Sequence, residues 1–215
     1  MKRIFPRTDL YCLTDFSLSL GRSNVEVVGE LLAAGVRLIQ YREKERKMGV
    51  MLEECLAIRA LTREAGACFI VNDHVDIALL ADADGVHVGQ EDLPVYAVRS
   101  LLGPDKIVGV STHAPEQAVA AQDAGADYIG VGPIFPTRTK KDVSAPVGLE
   151  YIAYAAKNLH IPFTAIGGLN PGNLAEAARA GAGCCSLVSA IVGARDIRAA
   201  VEAARASMRA GLRHE

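Results

Sequence analysis

Polar residues able to handle a large anion recur along this chain directly behind short apolar runs. Gln40-Tyr41-Arg42-Glu43-Lys44, Asn72-Asp73-His74, Gly89-Gln90-Glu91-Asp92 and Ser111-Thr112-His113 each close such a run. So does the segment GPIFPTRTKK at 132–141, with Thr137, Arg138, Thr139, Lys140 and Lys141. Arginine grips phosphate through a planar fork and lysine acts as a point charge. Arg42 and Lys44 alternate, so an extended segment would aim both to one side. Glu45 to Lys47 reads instead as a solvated charge run where a helix begins.

Asp73 and Asp92 are the metal candidates. Few hard oxygen ligands, completed by phosphate oxygens, suit Mg²⁺. The competing reading makes each a helix cap, Asp73 for a helix from Val75 and Asp92 ahead of Leu93-Pro94. Gly167-Gly168 and Val188-Ser189 supply bare backbone N–H groups and a helix start, which is the makings of a second anion site. His87 lies within an apolar run and reads as a hydrogen-bonded core residue; His113 could reach the same mouth as Ser111. No Ser-His-Asp or Cys-His order stands out.

Such residues need a scaffold that collects strand ends. Several helical segments end at Ala-Gly and pass at once into an apolar run: Ala34-Gly35, Ala65-Gly66, Ala124-Gly125 and Ala180-Gly181. Glycine just past a helix end adopts the left-handed conformation cheaply. Apolar runs without alternation are strands buried on both faces. The spacing predicts strands at 10–14, 37–40, 68–71, 85–88, 107–111, 128–131, 163–166 and 184–188. Met51, Cys55, Ile58 and Leu61 form one helical stripe. Asn170-Pro171 reads as an N-cap and first helical position, and a last helix runs over about 197–212. Eight strand–helix units in one short chain point to a single-domain α/β fold, a (β/α)8 TIM barrel spanning about 10–212. A doubly wound sheet is the runner-up, but no G-x-G-x-x-G follows the first strand.

Composition agrees. Half of the 215 residues are hydrophobic, enough for one core and too few for two roomy domains. A net charge of −2 gives no general attraction to nucleic acid or to an acidic membrane, so any anion is held by local charge. No apolar run approaches the roughly 20 residues of a membrane span, and no apolar stretch backs the basic residues near Met1. Cys12, Cys55, Cys68, Cys184 and Cys185 match no zinc or redox spacing and read as buried small hydrophobes in a reducing, cytoplasmic setting.

The motifs LYCLTD, QYREK, VNDHVDIA, GVHVGQEDLP, GVSTH, VGPIFPTRTKKD, AIGGLNP and SLVSAI, from about Leu10 to Ile191, resemble in order and spacing those of the thiamine phosphate synthase family. The resemblance implies a transferase: Mg²⁺-bound hydroxymethylpyrimidine diphosphate loses pyrophosphate, and the nitrogen of a thiazole phosphate takes up the pyrimidine methylene. It implies diphosphate on Gln40, Tyr41, Arg42, Glu43, Lys44, Asn72, Ser111 and Lys140, with Arg42, Lys44, Ser111 and Lys140 catalytic. It implies Mg²⁺ on Asp73 and Asp92, and thiazole phosphate on Thr137, Arg138, Thr139, Gly167, Val188 and Ser189. Three positions depart from the family pattern. Tyr41 stands where an aliphatic residue is common, His74 brings a cation near Asp73, and Ala114 lacks a serine's capping hydroxyl, a loss of about 1 kcal/mol.

Diphosphate leaves readily once metal and Arg/Lys neutralise it, and the ring nitrogen is already a nucleophile, so neither a general base nor a covalent intermediate is needed. Related thiazole tautomerases lack the paired carboxylates and much of the PTxTK loop, which this chain keeps. A phosphate-sensing barrel would not need Asp73, Asp92, Arg42 and Lys44 together. A sugar-phosphate isomerase would want facing proton-transfer groups; His87 and Asp92 could be pressed into that role, but the Arg/Lys loops would then have no work. The 132–141 loop, with Gly132, Pro133 and Pro136 at its base, has the length of a lid. The oligomeric state is open, and a homo-oligomer is compatible with the sequence.

Overall fold

The computed structural model describes residues 4–137 and 145–212. Eight parallel strands close into a barrel in sequence order: β1 (Leu10–Leu13), β2 (Leu38–Tyr41), β3 (Cys68–Asn72), β4 (Gly85–Val88), β5 (Ile107–Thr112), β6 (Tyr128–Val131), β7 (Phe163–Ala165) and β8 (Cys185–Leu187). Leu10 pairs with Cys185, which joins the last strand to the first. The open-sheet alternative is thereby excluded. The helices are α1 (Asn24–Ala33), α2 (Met48–Glu64), α3 (Val75–Leu80), α4 (Val95–Leu102), α5 (Pro115–Asp123), α6 (Gly148–Asn158), α7 (Leu174–Arg179), α8 (Ser189–Val192) and α9 (Ile197–Leu212).

Strands β4 and β6 fall where the apolar runs predict them, and the others differ by one or two residues at their ends. Gly35, Gly66, Gly125 and Gly181 all have positive φ, as the Ala-Gly endings require. On α2, Met51, Cys55 and Ile58 are buried and Leu61 is partly so. The helix after β7 starts later than predicted. Asn170 Oδ1 accepts from Gly172 N–H and closes a short turn, so Asn173 takes the N-cap position before Leu174.

Two apolar cores result. The larger lies between the sheet and its helices. The smaller fills the barrel bore with Phe5, Tyr11, Leu13, Leu38, Ile70, Ile107, Tyr128 and Cys184. Buried Arg59 on α2 donates both guanidinium NH₂ groups to Asp84 ahead of β4, and Asp84 also accepts from Phe69 N–H. From α9, Arg205 donates to the carbonyls of Ala34 and Gly35 and pairs with Asp9 ahead of β1. No helix among the described residues is long and apolar enough to cross a membrane. Cys12, Cys55, Cys184 and Cys185 are buried and Cys68 is half-buried, all as free thiols.

Candidate active site

The C-terminal ends of the strands surround a cavity of ≈ 600 Å³, within the usual range for small-molecule sites. Gln40, Arg42, Asn72, Ser111, Thr137, Gly167, Val188 and Ser189 all line it, so eight of the sequence-predicted positions converge. They come from the ends of five strands and from the loop after β6, as the barrel rule expects.

On β2 the pleat divides QYREK. Gln40 and Arg42 line the cavity, whereas the side chains of Tyr41 and Glu43 point away from it and bond to other groups. Tyr41 is buried in the outer core and its hydroxyl donates to Glu54 Oε2 at 2.6 Å. Burial and that carboxylate push the phenol well above its ordinary value. Glu43 Oε1 accepts from Phe16 N–H at 2.7 Å and from Asn24 Nδ2 at 2.9 Å. Burial pushes Glu43 up, the two hydrogen bonds opposing. Glu43 therefore ties down the loop between β1 and α1.

That loop carries a residue the sequence reading passed over. Asp15 Oδ2 lies 2.9 Å from Arg42 Nη1, with only 12% and 7% of the two side chains exposed. Thr14 Oγ1 accepts from Arg42 N–H and donates to Arg42 O, locking the strand end. Asp15 follows β1 directly, so the same end-of-strand rule identifies it. Lys44 sits farther out, half exposed, with Nζ 2.5 Å from Asp73 Oδ2. Arg46, read as a plain surface charge, stacks over Phe16 and lies 3.7 Å from Glu54.

Neither aspartate acts as a cap. Asp73 has φ +61°, a conformation that aspartate tolerates better than most residues; His74 occupies the N-cap of α3, without a side-chain bond. Asp73 N–H donates to His87 O, which places the end of β3 beside β4. Asp92 Oδ2 accepts from Gly89 N–H at 2.7 Å, and Pro94 occupies the N-cap of α4. The two carboxylates thus leave neighbouring strands. No group of three or more His, Cys, Asp or Glu among the described residues could hold a metal by itself. Two carboxylates with open positions fit a hard cation that shares a phosphate ligand.

Across the cavity, Gly167 at φ +95° packs against the loop after β6, where a Cβ would lie 2.5 Å from Pro133 Cα. Phe135 N–H donates to Gly167 O, and the side-chain amide of Asn173 donates to Gly168 O. Ser189 opens α8, and Val188, with ψ −95°, turns the chain into it. Ala114 caps α5 without a side-chain bond, but Gln117 Oε1 accepts from His113 N–H in its place. His113 Nδ1 lies 2.6 Å from Gly132 O on the cavity wall. Arg138, Thr139, Lys140 and Lys141 lie outside the described residues.

The cavity floor holds groups that the sequence reading took for core. Tyr11, Tyr128 and His87 lie deep in the bore, linked to Gln40 at one side and Ser111 at the other. The tyrosines sit inside the apolar runs LYCL and YIGV, where composition does not distinguish a packed phenol from a working one.

The family model described as thiamine monophosphate synthase matches residues 10–191. The chain is 60% identical over 198 residues to the thiamine-phosphate synthase of Pelotomaculum thermopropionicum, covering 92% of this chain and 91% of that one. It is 57% identical over 189 residues to that of Lawsonia intracellularis, covering 88% and 87%. The structure of thiamine phosphate pyrophosphorylase from Pyrococcus furiosus superposes with a TM-score of 0.86 at 38% identity, over 95% of this chain and 96% of that one. A 3-hexulose-6-phosphate synthase, 21% identical with a TM-score of 0.69, shares the barrel. With the motif order intact from strand to strand and the match running across every strand of the barrel, the chain belongs to the thiamine monophosphate synthase family.

Proposed function

We propose that this barrel joins hydroxymethylpyrimidine diphosphate to a thiazole phosphate, releasing pyrophosphate and thiamine phosphate. One observation carries the reading. Arg42, Asn72 and Ser111, at the ends of β2, β3 and β5, and Gly167, Val188 and Ser189, after β7 and β8, line a single cavity from two different arcs of the closed barrel. Two anions can therefore be held with their organic parts facing each other, which is what joining two phosphorylated rings requires.

In this reading Arg42 and Lys44 neutralise the diphosphate, and Asn72 and Ser111 orient it. Asp15 keeps the Arg42 guanidinium in place before substrate arrives. Asp73 and Asp92 would hold Mg²⁺, which supplies charge neutralisation to the leaving pyrophosphate. Thr137 and the Gly167-Gly168 turn steer the thiazole phosphate. The role of Arg138, Thr139 and Lys140 rests on the family resemblance. The C–O bond to diphosphate breaks, its electron pair leaves with the pyrophosphate, and the thiazole nitrogen lone pair forms the new C–N bond. No side chain needs to accept a proton, so the reading requires no general base. Buried free thiols fit a reducing cytoplasm.

The test is pyrophosphate release from hydroxymethylpyrimidine diphosphate, with and without thiazole phosphate and Mg²⁺, for wild type and Asp92→Ala. Release that needs both and collapses in the variant supports the synthase reading. No release under any condition would favour a tautomerase or a phosphate sensor.

A further inference from the structure

Five side chains from five strands form one hydrogen-bonded chain through the bore. Gln40 Nε2 donates to Tyr11 Oη at 2.7 Å, and Tyr11 Oη lies 2.9 Å from Tyr128 Oη. Tyr128 Oη lies 2.9 Å from His87 Nδ1, and His87 Nε2 lies 2.9 Å from Ser111 Oγ. The packing makes room for it. A Cβ on Gly109 would lie 2.2 Å from the Tyr128 ring and 2.6 Å from His87 Nδ1, so only glycine admits the pair. Phe5 stacks on Tyr128 from below, with centroids 3.9 Å apart, and fixes the ring plane.

Each phenol has one proton to give. Burial holds both phenols far above their ordinary values, so both protons stay on. Gln40 enters as donor, and its Oε1 is buried with no hydrogen-bond partner among the described residues. Tyr11 O–H then donates to Tyr128 Oη, and Tyr128 O–H donates to the lone pair of His87 Nδ1. The imidazole proton is left on Nε2, aimed at Ser111 Oγ. A Ser111 oxygen that already accepts one hydrogen bond turns its own proton away from His87, towards the cavity it lines.

We infer that Tyr11, Tyr128 and His87 are positioning residues whose common task is to fix the Ser111 hydroxyl as a hydrogen-bond donor into the cavity. This rests on the reading of Ser111 as a diphosphate ligand. An anion is served by a donor and repelled by a lone pair, so the direction of the chain decides whether Ser111 helps or hinders. No proton moves along the chain during turnover. Its members polarise one another in the same sense, which strengthens the final donor. A reversed Gln40 amide would reverse every link, put the imidazole proton on Nδ1 and turn Ser111 into an acceptor, so the two directions have separable signatures.

The first measurement is the His87 tautomer in ligand-free protein labelled with ¹⁵N-histidine, read from ring nitrogen shifts and couplings. The Nε2–H form is expected; the Nδ1–H form overturns the inference. The second is a double-mutant cycle on pyrophosphate release with Tyr128→Phe, which keeps the stacked ring, and Ser111→Ala. Tyr128→Phe should lower kcat at least about tenfold with the KM for pyrimidine diphosphate within about threefold. Adding it to Ser111→Ala should cost almost nothing more. Additive losses would mean that Tyr128 acts through packing alone, and an unchanged kcat would overturn the inference equally. Should Tyr128→Phe fail to fold, Tyr11→Phe enters the same cycle. Wild type that releases no pyrophosphate would sink the synthase reading itself, an outcome distinct from a wrong tautomer in an active enzyme.

Discussion

Lys44 Nζ rests 2.5 Å from Asp73 Oδ2, so the cation proposed for diphosphate is seated on a carboxylate proposed for metal. Arg42 is held likewise by Asp15. Both cations are thus neutralised from within, and on the proposed reading an arriving diphosphate would exchange partners with carboxylates.

Lys44→Met should therefore act in two directions. Calorimetric titration with inorganic pyrophosphate should show affinity weakened at least about tenfold. Mn²⁺ titrated without anion should bind only a few fold more tightly, because a half-exposed ion pair is worth about 1 kcal/mol or less. Unchanged pyrophosphate affinity would remove Lys44 from the anion site.

Asp15→Ala should be felt in stability as well as in catalysis. It strands the buried Arg42 guanidinium without its carboxylate, at a cost of about 3 kcal/mol. Urea unfolding should record that loss, and the KM for the pyrimidine diphosphate should rise. Asp84→Ala, which breaks the Arg59 pair away from the cavity lining, should cost comparable stability while leaving turnover per folded molecule unchanged.

Gly167→Ala adds a methyl group 2.5 Å from Pro133 Cα at a φ that alanine resists. The turn must shift, and the KM for thiazole phosphate should rise at least about tenfold. Steady-state kinetics in each substrate would show the pyrimidine diphosphate KM much less altered; equal rises in both would point to a general collapse of the mouth.

Alkaline pH should weaken the fold before it touches the chemistry. Burial, first among the causes, pushes the Cys12 and Cys184 thiols from 9.0 up to about 12. Above pH 9 the unfolded chain sheds these protons while the folded chain keeps them. Their contribution is thus complete below pH 9 and is lost between 9 and about 12. At pH 10 the loss should be about 1 kcal/mol per thiol, seen as a lower urea midpoint. Cys12→Ala and Cys184→Ala should each flatten that slope.

Much of this was legible in the chain because parallel barrel strands are buried on both faces, so continuous apolar runs mark them and polar side chains cluster where they end. Arg42, Asn72, Ser111 and Ser189 were found that way. What escaped has physical causes. A side chain one position along a pleat faces the opposite way, so Tyr41 and Glu43 could not share the surface of Gln40 and Arg42. Asn170 has two local uses for its side chain, and the short turn to Gly172 took precedence over capping. Tyr11 and Tyr128 lie within apolar runs, and only the closed barrel brings their hydroxyls together.

The pairing of Leu10 with Cys185 has a consequence in time. During synthesis β1 is made before every other strand of the barrel, yet one of its edges has no strand to accept until β8 exists. Arg205 cannot bind Ala34 and Gly35 until later still. Contacts so distant along the chain form slowly, and a bare strand edge invites pairing with other chains. The newborn protein therefore passes through an unsealed stage, and a ribosome that stalls ahead of β8 leaves a nearly complete barrel that is sticky along its first strand.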